Sequence, residues 1–245
     1  MTDQIILYDA PSKAPRRSFS PNTWKVRAIL NYKNIPYRTE WLEFPDIRPT
    51  LKSFGIPPND PSEHFDHSIP AVKLPDGTFV MESAQVAQAL EKYQPDPPVY
   101  PDSESAIRAQ ELVTQFGNRL SVAYLHRLPD MLLTPESAKW YHEARTRLIG
   151  ASLYDLRDSP DLGEGVAWKN AEPTFAVLKE FLSENPEGPY AMGQQVSYAD
   201  FVLLGFWKIL GKIDVEGDLF GRVMEMDRKF EEHERACRKF CEKDD

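Results

Sequence analysis

Apolar positions recur with one rhythm up to about residue 94 and with another after it. In the first stretch, short β-prone runs alternate with helical spacing. Ile5-Ile6-Leu7-Tyr8 is a short apolar strand. Residues 11–20 carry no period and read as a loop. From Pro21 to Asn34 the spacing puts Val26, Ile29 and Leu30 on one helical face. Tyr37, Thr39 and Trp41 alternate along a second strand that ends near Leu42. Such a strand–helix–strand unit favours a right-handed crossover and a parallel pair. Residues 45–61 are proline-rich, and the pattern predicts at most a short helix around 48–54. Pro75-Asp76-Gly77 between Ala71-Val72-Lys73 and Phe79-Val80-Met81 predicts a hairpin. Glu82-Ser83 then opens a helical pattern, with Val86, Leu90 and Tyr93 on one face, to about Gln94.

Residues 94–101 hold four prolines in eight positions, which blocks both helix and strand ladder. Everything beyond is helical in spacing. Val113, Phe116, Leu120 and Tyr124 recur at steps of three and four within 103–128. Thr134 is an N-cap with Pro135 in the first turn. Trp168, Ala171, Phe175, Leu178 and Leu182 share a face of another helix. Ser197-Tyr198-Ala199-Asp200 reads as a capping box ahead of an apolar helix. A last charged amphipathic helix runs from Phe220 to the end. The predicted organisation is an α/β domain over 1–94, a linker over 95–101 and an all-helical domain over 102–245. The order βαβ, variable segment, ββα fits a thioredoxin-like α/β fold.

Composition narrows the function classes. The chain has 245 residues, 41% hydrophobic and 27% charged, as ordinary globular proteins do. A formal net charge of −9 disfavours nucleic-acid binding. No long apolar run suggests a membrane span, and the N-terminus lacks a secretory pattern. Cys237 and Cys241 are the two cysteines, with no second pair to complete a metal site, so no metal is expected. Free thiols point to a reducing cytoplasm.

The segment Asp66-His67-Ser68-Ile69-Pro70 through Glu82-Ser83 carries the most chemistry. A cis bond at Ile69-Pro70 would turn the Ile69 backbone outward to pair with an extended peptide. The helix start after Glu82 offers unpaired N–H groups to a carboxylate, while Glu82 can hold an ammonium. That combination grips a peptide-like molecule bearing both groups.

In order and spacing, Ile69-Pro70 and Glu82-Ser83 resemble the glutathione-binding half of glutathione transferases. The Gly193–Asp200 stretch is similar to the family's buried capping motif, so the resemblance spans both domains. It implies the glutathione transferase fold, glutathione as co-substrate and a homodimer. It also implies that His67 meets the glycine carboxylate of glutathione, the local alternative being a hydrogen bond to neighbouring backbone. In Ser20-Pro21-Asn22-Thr23 a serine stands where cysteine-type members carry the cysteine. Ser20 would donate to the glutathione thiolate and lower the thiol pKa, helped by the helix start. An ordinary helix cap is the plainer reading of Ser20, and Asn22 is a second candidate for sulfur contact. Tyr8 reads as strand packing, and Ser18 as a loop residue. Lys13, Arg16 and Arg17 form a basic loop that could draw anionic glutathione or simply be solvated. Phe116, Leu120 and Tyr124 either face the second-substrate pocket or form helix core. His64, His126, His142 and His233 read as surface or helix residues.

The 11–19 loop is longer than the first loop of many classes, and the run Phe19-Ser20-Pro21-Asn22-Thr23-Trp24-Lys25 with the lengthened 45–61 segment resembles the etherase-related branch of the family. That branch implies an apolar aromatic second substrate and, at its sharpest, β-aryl ether cleavage. The competing reading is a ligandin that stores aromatic compounds in the same cleft with little or no turnover.

Overall fold

A computed structural model describes residues 4–244. Four strands form one mixed sheet in the order β2-β1-β3-β4. They are β1 (Ile5–Asp9), β2 (Tyr37–Trp41), β3 (Ala71–Lys73) and β4 (Phe79–Met81). β1 runs parallel to β2, with Leu7 opposite Thr39, and antiparallel to β3, with Leu7 opposite Val72. Between the strands lie α1 (Pro21–Tyr32) and α2 (Phe44–Ser53), and α3 (Ser83–Tyr93) follows β4. This is a thioredoxin-like α/β fold.

The alternation along β1 feeds two cores. Ile5 and Leu7 join Val26, Ile29, Val86 and Leu90 on the α1 and α3 side. Tyr8 joins Ile47, Leu51 and Met81 on the α2 side, packed on Phe54 at 5.3 Å and Phe79 at 6.3 Å between ring centroids. Tyr8 therefore packs the sheet away from α1. Asp9, on the α1 side, meets the Arg27 guanidinium at 3.2 Å with both side chains fully buried. Burial pushes the Asp9 carboxyl up, and Arg27, Ser18 and Thr23 pull it back down.

α2 is longer than the sequence suggests. It begins at Phe44, with Pro45 in the first turn and Pro49 inside. Proline is tolerated in a first turn, where its missing N–H has no helical partner. The prolines obscured the period, but Ile47 and Leu51, four apart, are its buried positions.

The second part is all helical: α4 (Glu104–Tyr124), α5 (Arg127–Met131), α6 (Pro135–Ile149), α7 (Leu153–Arg157), α8 (Glu164–Phe181), α9 (Tyr198–Lys212), α10 (Phe220–Met226) and α11 (Arg228–Cys237). The C-terminal helix expected from Phe220 onward is broken at Asp227, which leaves helical backbone and caps α11 through Lys229 N. Phe116 and Leu120 are core. Phe116 is fully buried against Phe175 and Phe206, at 4.6 and 5.2 Å. Among the described residues no helix is long and apolar enough to cross a membrane.

α9 is apolar around most of its circumference and forms the centre of the helical part. Its start is set by Asp200, which is fully buried. Asp200 Oδ2 accepts from Ser197 N at 2.7 Å and Ser197 Oγ at 3.0 Å, and Oδ1 accepts from Ala191 N at 2.7 Å. His233 Nε2 lies 3.1 Å from Oδ1, and Trp207 Nε1 donates to His233 Nδ1 at 3.1 Å. Indole N–H is donor only, so Nδ1 accepts and Nε2 carries the proton to Asp200. His233, read as a surface or helix residue, lies on α11 and is a wholly buried linker between α11 and α9. His126 is also buried, its Nδ1 3.2 Å from Val122 O.

α9 crosses α1 at very close range. A Cβ on Gly205 would stand 2.2 Å from the Pro21 carbonyl oxygen. Only glycine permits this approach.

Two outcomes follow. Asp200→Ala leaves four buried donors without their acceptor and should cost more than about 3 kcal/mol in urea unfolding. Gly205→Ala should destabilise and shift α1. Gly211→Ala, in the same helix with nothing nearer than 3.8 Å, should be neutral or stabilising by up to about 1 kcal/mol. Equal effects at the two glycines would remove the close-approach argument.

Candidate active site

Pro21 sets the first turn of α1, and Ser20 caps it from an extended conformation. Ser20 Oγ accepts from Thr23 N at 3.4 Å. That contact uses a lone pair; the hydroxyl proton has no acceptor among the described residues. The first turn of α1 carries no acidic residue, so its positive end is uncompensated.

The loop ahead of Ser20 is tied down rather than free. Lys13 N donates to Leu132 O at 2.6 Å and Lys13 Nζ to Asp130 O at 2.8 Å. Ser18 is fully buried, and its N donates to Asp244 O at 3.0 Å. Arg17 faces Asp244 at 3.4 Å, and Arg16 is exposed. All three basic residues reach solvent, and Lys13 and Arg17 are in addition engaged in the fold.

Ser20 opens into a cavity of about 300 Å³. Asn22, His67, Ser68, Ile69 and Tyr124 line it with Ser20, so six residues singled out in the sequence meet there. The Ile69–Pro70 bond is cis. Across from them stands an aromatic wall. Phe44 stacks on Trp140 at 5.4 Å and 4°, Trp140 meets Phe65 at 5.7 Å, and Phe19 meets Phe44 at 6.3 Å. The wall exists because α2 docks on α6. Glu43 Oε2 accepts from the Thr134 and Ser137 hydroxyls, and Phe44 N donates to Ser137 Oγ at 2.9 Å. Burial pushes the phenols of Tyr124 and Tyr141 up, so both stay protonated.

His67 is buried, with Nε2 3.0 Å from the Ile56 carbonyl and Nδ1 covered, 3.5 Å from Asp66 Oδ1. Its contacts are those of the local-backbone alternative. The cations on the cavity are Arg48 and Arg145 instead. Arg48 Nε is paired with Asp66, 2.8 Å from Oδ2. Neither arginine, nor Phe44, Phe65, Trp140 or Tyr141, stood out in the sequence. They come from an irregular stretch and from α6, and only the docking of α2 on α6 brings them together.

Pro70, Glu82 and Ser83 sit outside the cavity lining, which Glu82 reaches through the Ser68 hydroxyl. Glu82 occupies a positive φ of 73° at the turn from β4 to α3. Its Oε1 accepts from Asn59 Nδ2 at 2.9 Å and from the Ser68 hydroxyl, while Oε2 takes no hydrogen bond among the described residues. A non-glycine residue in such a conformation stores about 1–3 kcal/mol of strain, a mark of functional sites. α3 has no acid in its first turn and no side-chain cap. No group of three metal-ligating side chains occurs among the described residues.

Lys25, in the same α1, is 1% exposed. Its Nζ donates to Gln110 Oε1 at 2.7 Å. Burial brings its pKa down to about 8, against the opposing pull of Glu82.

Comparison with known proteins gives a consistent picture. Residues 19–92 match the family model for the glutathione S-transferase N-terminal domain, and residues 108–233 that for the C-terminal domain. The glutathione S-transferase-like protein ustS of Aspergillus flavus is 29% identical over 226 residues, covering 86% of this chain and 80% of that protein. The crystal structure of glutathione transferase GSTFuA3 from Phanerochaete chrysosporium superposes with a TM-score of 0.83 at 25% identity, covering 98% of both chains. A glutathione S-transferase of Ceriporiopsis subvermispora, solved in complex with glutathione, gives 0.77 at 28% identity over 97% of both chains.

Lys25 generates a pH prediction. Its folded pKa of about 8 lies below its ordinary 10.5. Below about pH 8 both states are protonated and the buried charge costs stability in full. Between the two values the folded state releases the proton first, so stability rises with pH. Lys25→Met should therefore raise stability by about 2 kcal/mol at neutral pH. That gain should vanish toward pH 10.5. A pH-independent gain in urea midpoints would show that the charge is not what Lys25 costs.

Proposed function

Because this chain belongs to the glutathione transferase family, as the two family models matched over 19–92 and 108–233 show, we propose that it activates the glutathione thiol for attack on an aromatic electrophile. The observation that carries this is the Ser20 hydroxyl: a cap with an unspent proton, at a helix start, facing an aromatic cavity. Donated to the glutathione sulfur, that proton stabilises the thiolate over the thiol. The positive end of α1 acts in the same direction. Asn22 is the second donor within the same wall.

Glutathione lies along the edge made by Ile69 and the starts of α1 and α3. Its cysteinyl backbone pairs with Ile69. Its ammonium meets the open Oε2 of Glu82, and its γ-glutamyl carboxylate meets Ser83 and the unpaired N–H groups of α3. The Nη groups of Arg48, which take no part in its Nε pairing with Asp66, meet the glycine carboxylate in place of His67, whose Nε2 is engaged by Ile56 O. The strain at Glu82 and the glutathione-bound Ceriporiopsis relative support this placement.

The second substrate is apolar and aromatic, held by Phe44, Phe65, Trp140 and Tyr124. β-Aryl ether cleavage is the sharpest form of the reading. The thiolate attacks the ether-bearing carbon, a C–S bond forms, and the C–O pair leaves with the aryloxide. Tyr124, kept protonated by burial, is the donor for that oxygen. The reading includes a homodimer in a reducing cytoplasm, supported by the family resemblance and the free thiols of Cys237 and Cys241.

Ser20→Ala should raise the bound thiol pKa, read as thiolate absorbance against pH. It should also remove about 1.5–3 kcal/mol of transition-state stabilisation with little change in glutathione affinity. Ser20→Cys should gain disulfide exchange with glutathione disulfide. If Ser20→Ala keeps the wild-type thiol pKa and turnover, another group holds the sulfur.

Glu82→Ala should weaken glutathione binding in calorimetry by about 1.5–3 kcal/mol. Unchanged affinity there would remove the binding mode. A fluorogenic aryl ether incubated with glutathione should release phenol. Tight binding of an aromatic dye without any turnover would instead favour the ligandin.

A further inference from the structure

Arg145 is a half-buried guanidinium on the wall of the aromatic cavity. It lies over the Tyr141 ring at 5.2 Å and the Phe65 ring at 5.9 Å, and both rings line the same space. No ion pair among the described residues includes it. The cavity's other arginine differs, since Arg48 is held by Asp66. Asp66 is also the only acidic lining residue, and Arg48 holds its carboxyl below the ordinary range. The cavity therefore offers one arginine with no carboxylate partner, in a chain of net charge −9.

A guanidinium drawn partly out of water loses hydration that ring faces replace only in part. A carboxylate restores it in full, because its two oxygens match the guanidinium fork. The aromatic wall meanwhile fits a flat ring. Ring and anion together define the ligand class.

Building on the reading of this cavity as the electrophile site, we propose that the second substrate is an aromatic anion. Its ring lies along the Phe44–Trp140 stack, and its carboxylate pairs with Arg145. Arg145 is then a specificity-determining residue, selecting charged over neutral acceptors of the same shape. The competing structural role is a cation–π brace holding Tyr141 and Phe65 in place, which has no preference for charge.

The test uses two electrophiles that differ only in charge, 4-chloro-3-nitrobenzoate and 4-chloro-3-nitrobenzamide. In both, the glutathione thiolate attacks the carbon bearing chlorine. The C–S bond forms, chloride leaves with the C–Cl electron pair, and the thiol proton passes to solvent. Rates are divided by the uncatalysed rate with glutathione. Wild type should prefer the benzoate in kcat/KM by about tenfold, the size of one charged hydrogen bond. Arg145→Gln should abolish the preference by losing the benzoate, with the benzamide unchanged and KM for glutathione unchanged. Arg145→Lys should keep part of it.

Equal loss on both electrophiles would overturn the proposal in favour of the brace. A raised KM for glutathione with both would overturn it by assigning Arg145 to the tripeptide. No wild-type preference for the benzoate would overturn it outright.

A second measurement separates this from the catalytic reading. Should neither electrophile turn over, that reading fails while the anion proposal is still decided by binding. 8-Anilinonaphthalene-1-sulfonate should bind wild type about tenfold more tightly than Arg145→Gln. N-phenyl-1-naphthylamine, which lacks the sulfonate, should bind both alike. Equal binding of the sulfonate to both proteins would sink the proposal.

Discussion

Everything at the candidate site hangs on one close approach, that of Gly205 in α9 to the Pro21 carbonyl at the start of α1. The contact joins the α/β part to the centre of the helical part, and it falls one residue from Ser20. Any side chain at 205 would push against rigid helix backbone, so the two helices would separate or rotate. The position of the Ser20 hydroxyl is thus set by a packing constraint in the other half of the molecule. Lys208, one turn along, adds its ammonium over the Trp24 ring at 4.4 Å. The linker is clamped to α1 as well: Lys33 Nζ donates to Gln94 O and Pro97 O at 2.7 and 2.6 Å.

Buried polar groups then hold the position of α9. Asp200 collects donors from Ser197, Ala191 and His233, so the first turn of α9, the preceding turn and α11 share one acceptor. A buried carboxylate is costly unless each oxygen is matched by donors, and here both are. The chain end extends the same principle to the surface of the α/β part. Asn31 Nδ2 donates to Phe240 O at 2.7 Å, and Lys243 Nζ to Tyr37 O at 2.6 Å. Beside this strap, the 11–20 loop is drawn against Asp244 and Leu132. A loop that looks free in the sequence is therefore held from two sides, by the α5–α6 connection and by the segment that follows α11.

The parts of the molecule legible in the sequence are those where one local pattern decides. The β1–α1–β2 alternation, the Pro75-Asp76-Gly77 hairpin and the Ser197–Asp200 box each depend on neighbours a few residues away. The Ser20 cap, the cis Ile69–Pro70 bond and the start of α3 at Ser83 were legible for the same reason, since each is a short ordered motif. What stayed hidden depends on long-range docking. Phe116 and Tyr124 lie on the same periodic face of α4, yet one is core and the other cavity wall. Periodicity names a buried face but not what buries it. His67 shows the same limit: its ring nitrogen is taken by the Ile56 carbonyl, eleven residues away. The first turn of the helix over Phe44–Ser53 was masked by Pro45 and Pro49, and with it Phe44 and the docking of α2 on α6.

The two halves of the cavity differ in how they are made, and the difference bears on what each can recognise. The edge carrying Ser20, Ile69 and Glu82 is built from backbone geometry and helix starts inside one domain, so its chemistry is tied to the fold. The opposite wall is assembled by side chains of α2, the 54–70 segment, α4 and α6, joined through Glu43 to Thr134 and Ser137. Side chains there can change without disturbing the sheet or the α1–α9 crossing. Under the proposed function, binding of the shared co-substrate falls to the first surface and selection of the variable partner to the second. Arg145 and the Phe44–Trp140 stack stand on that second surface, where charge and shape can be tuned while the edge of Ser20, Ile69 and Glu82 is left as it is.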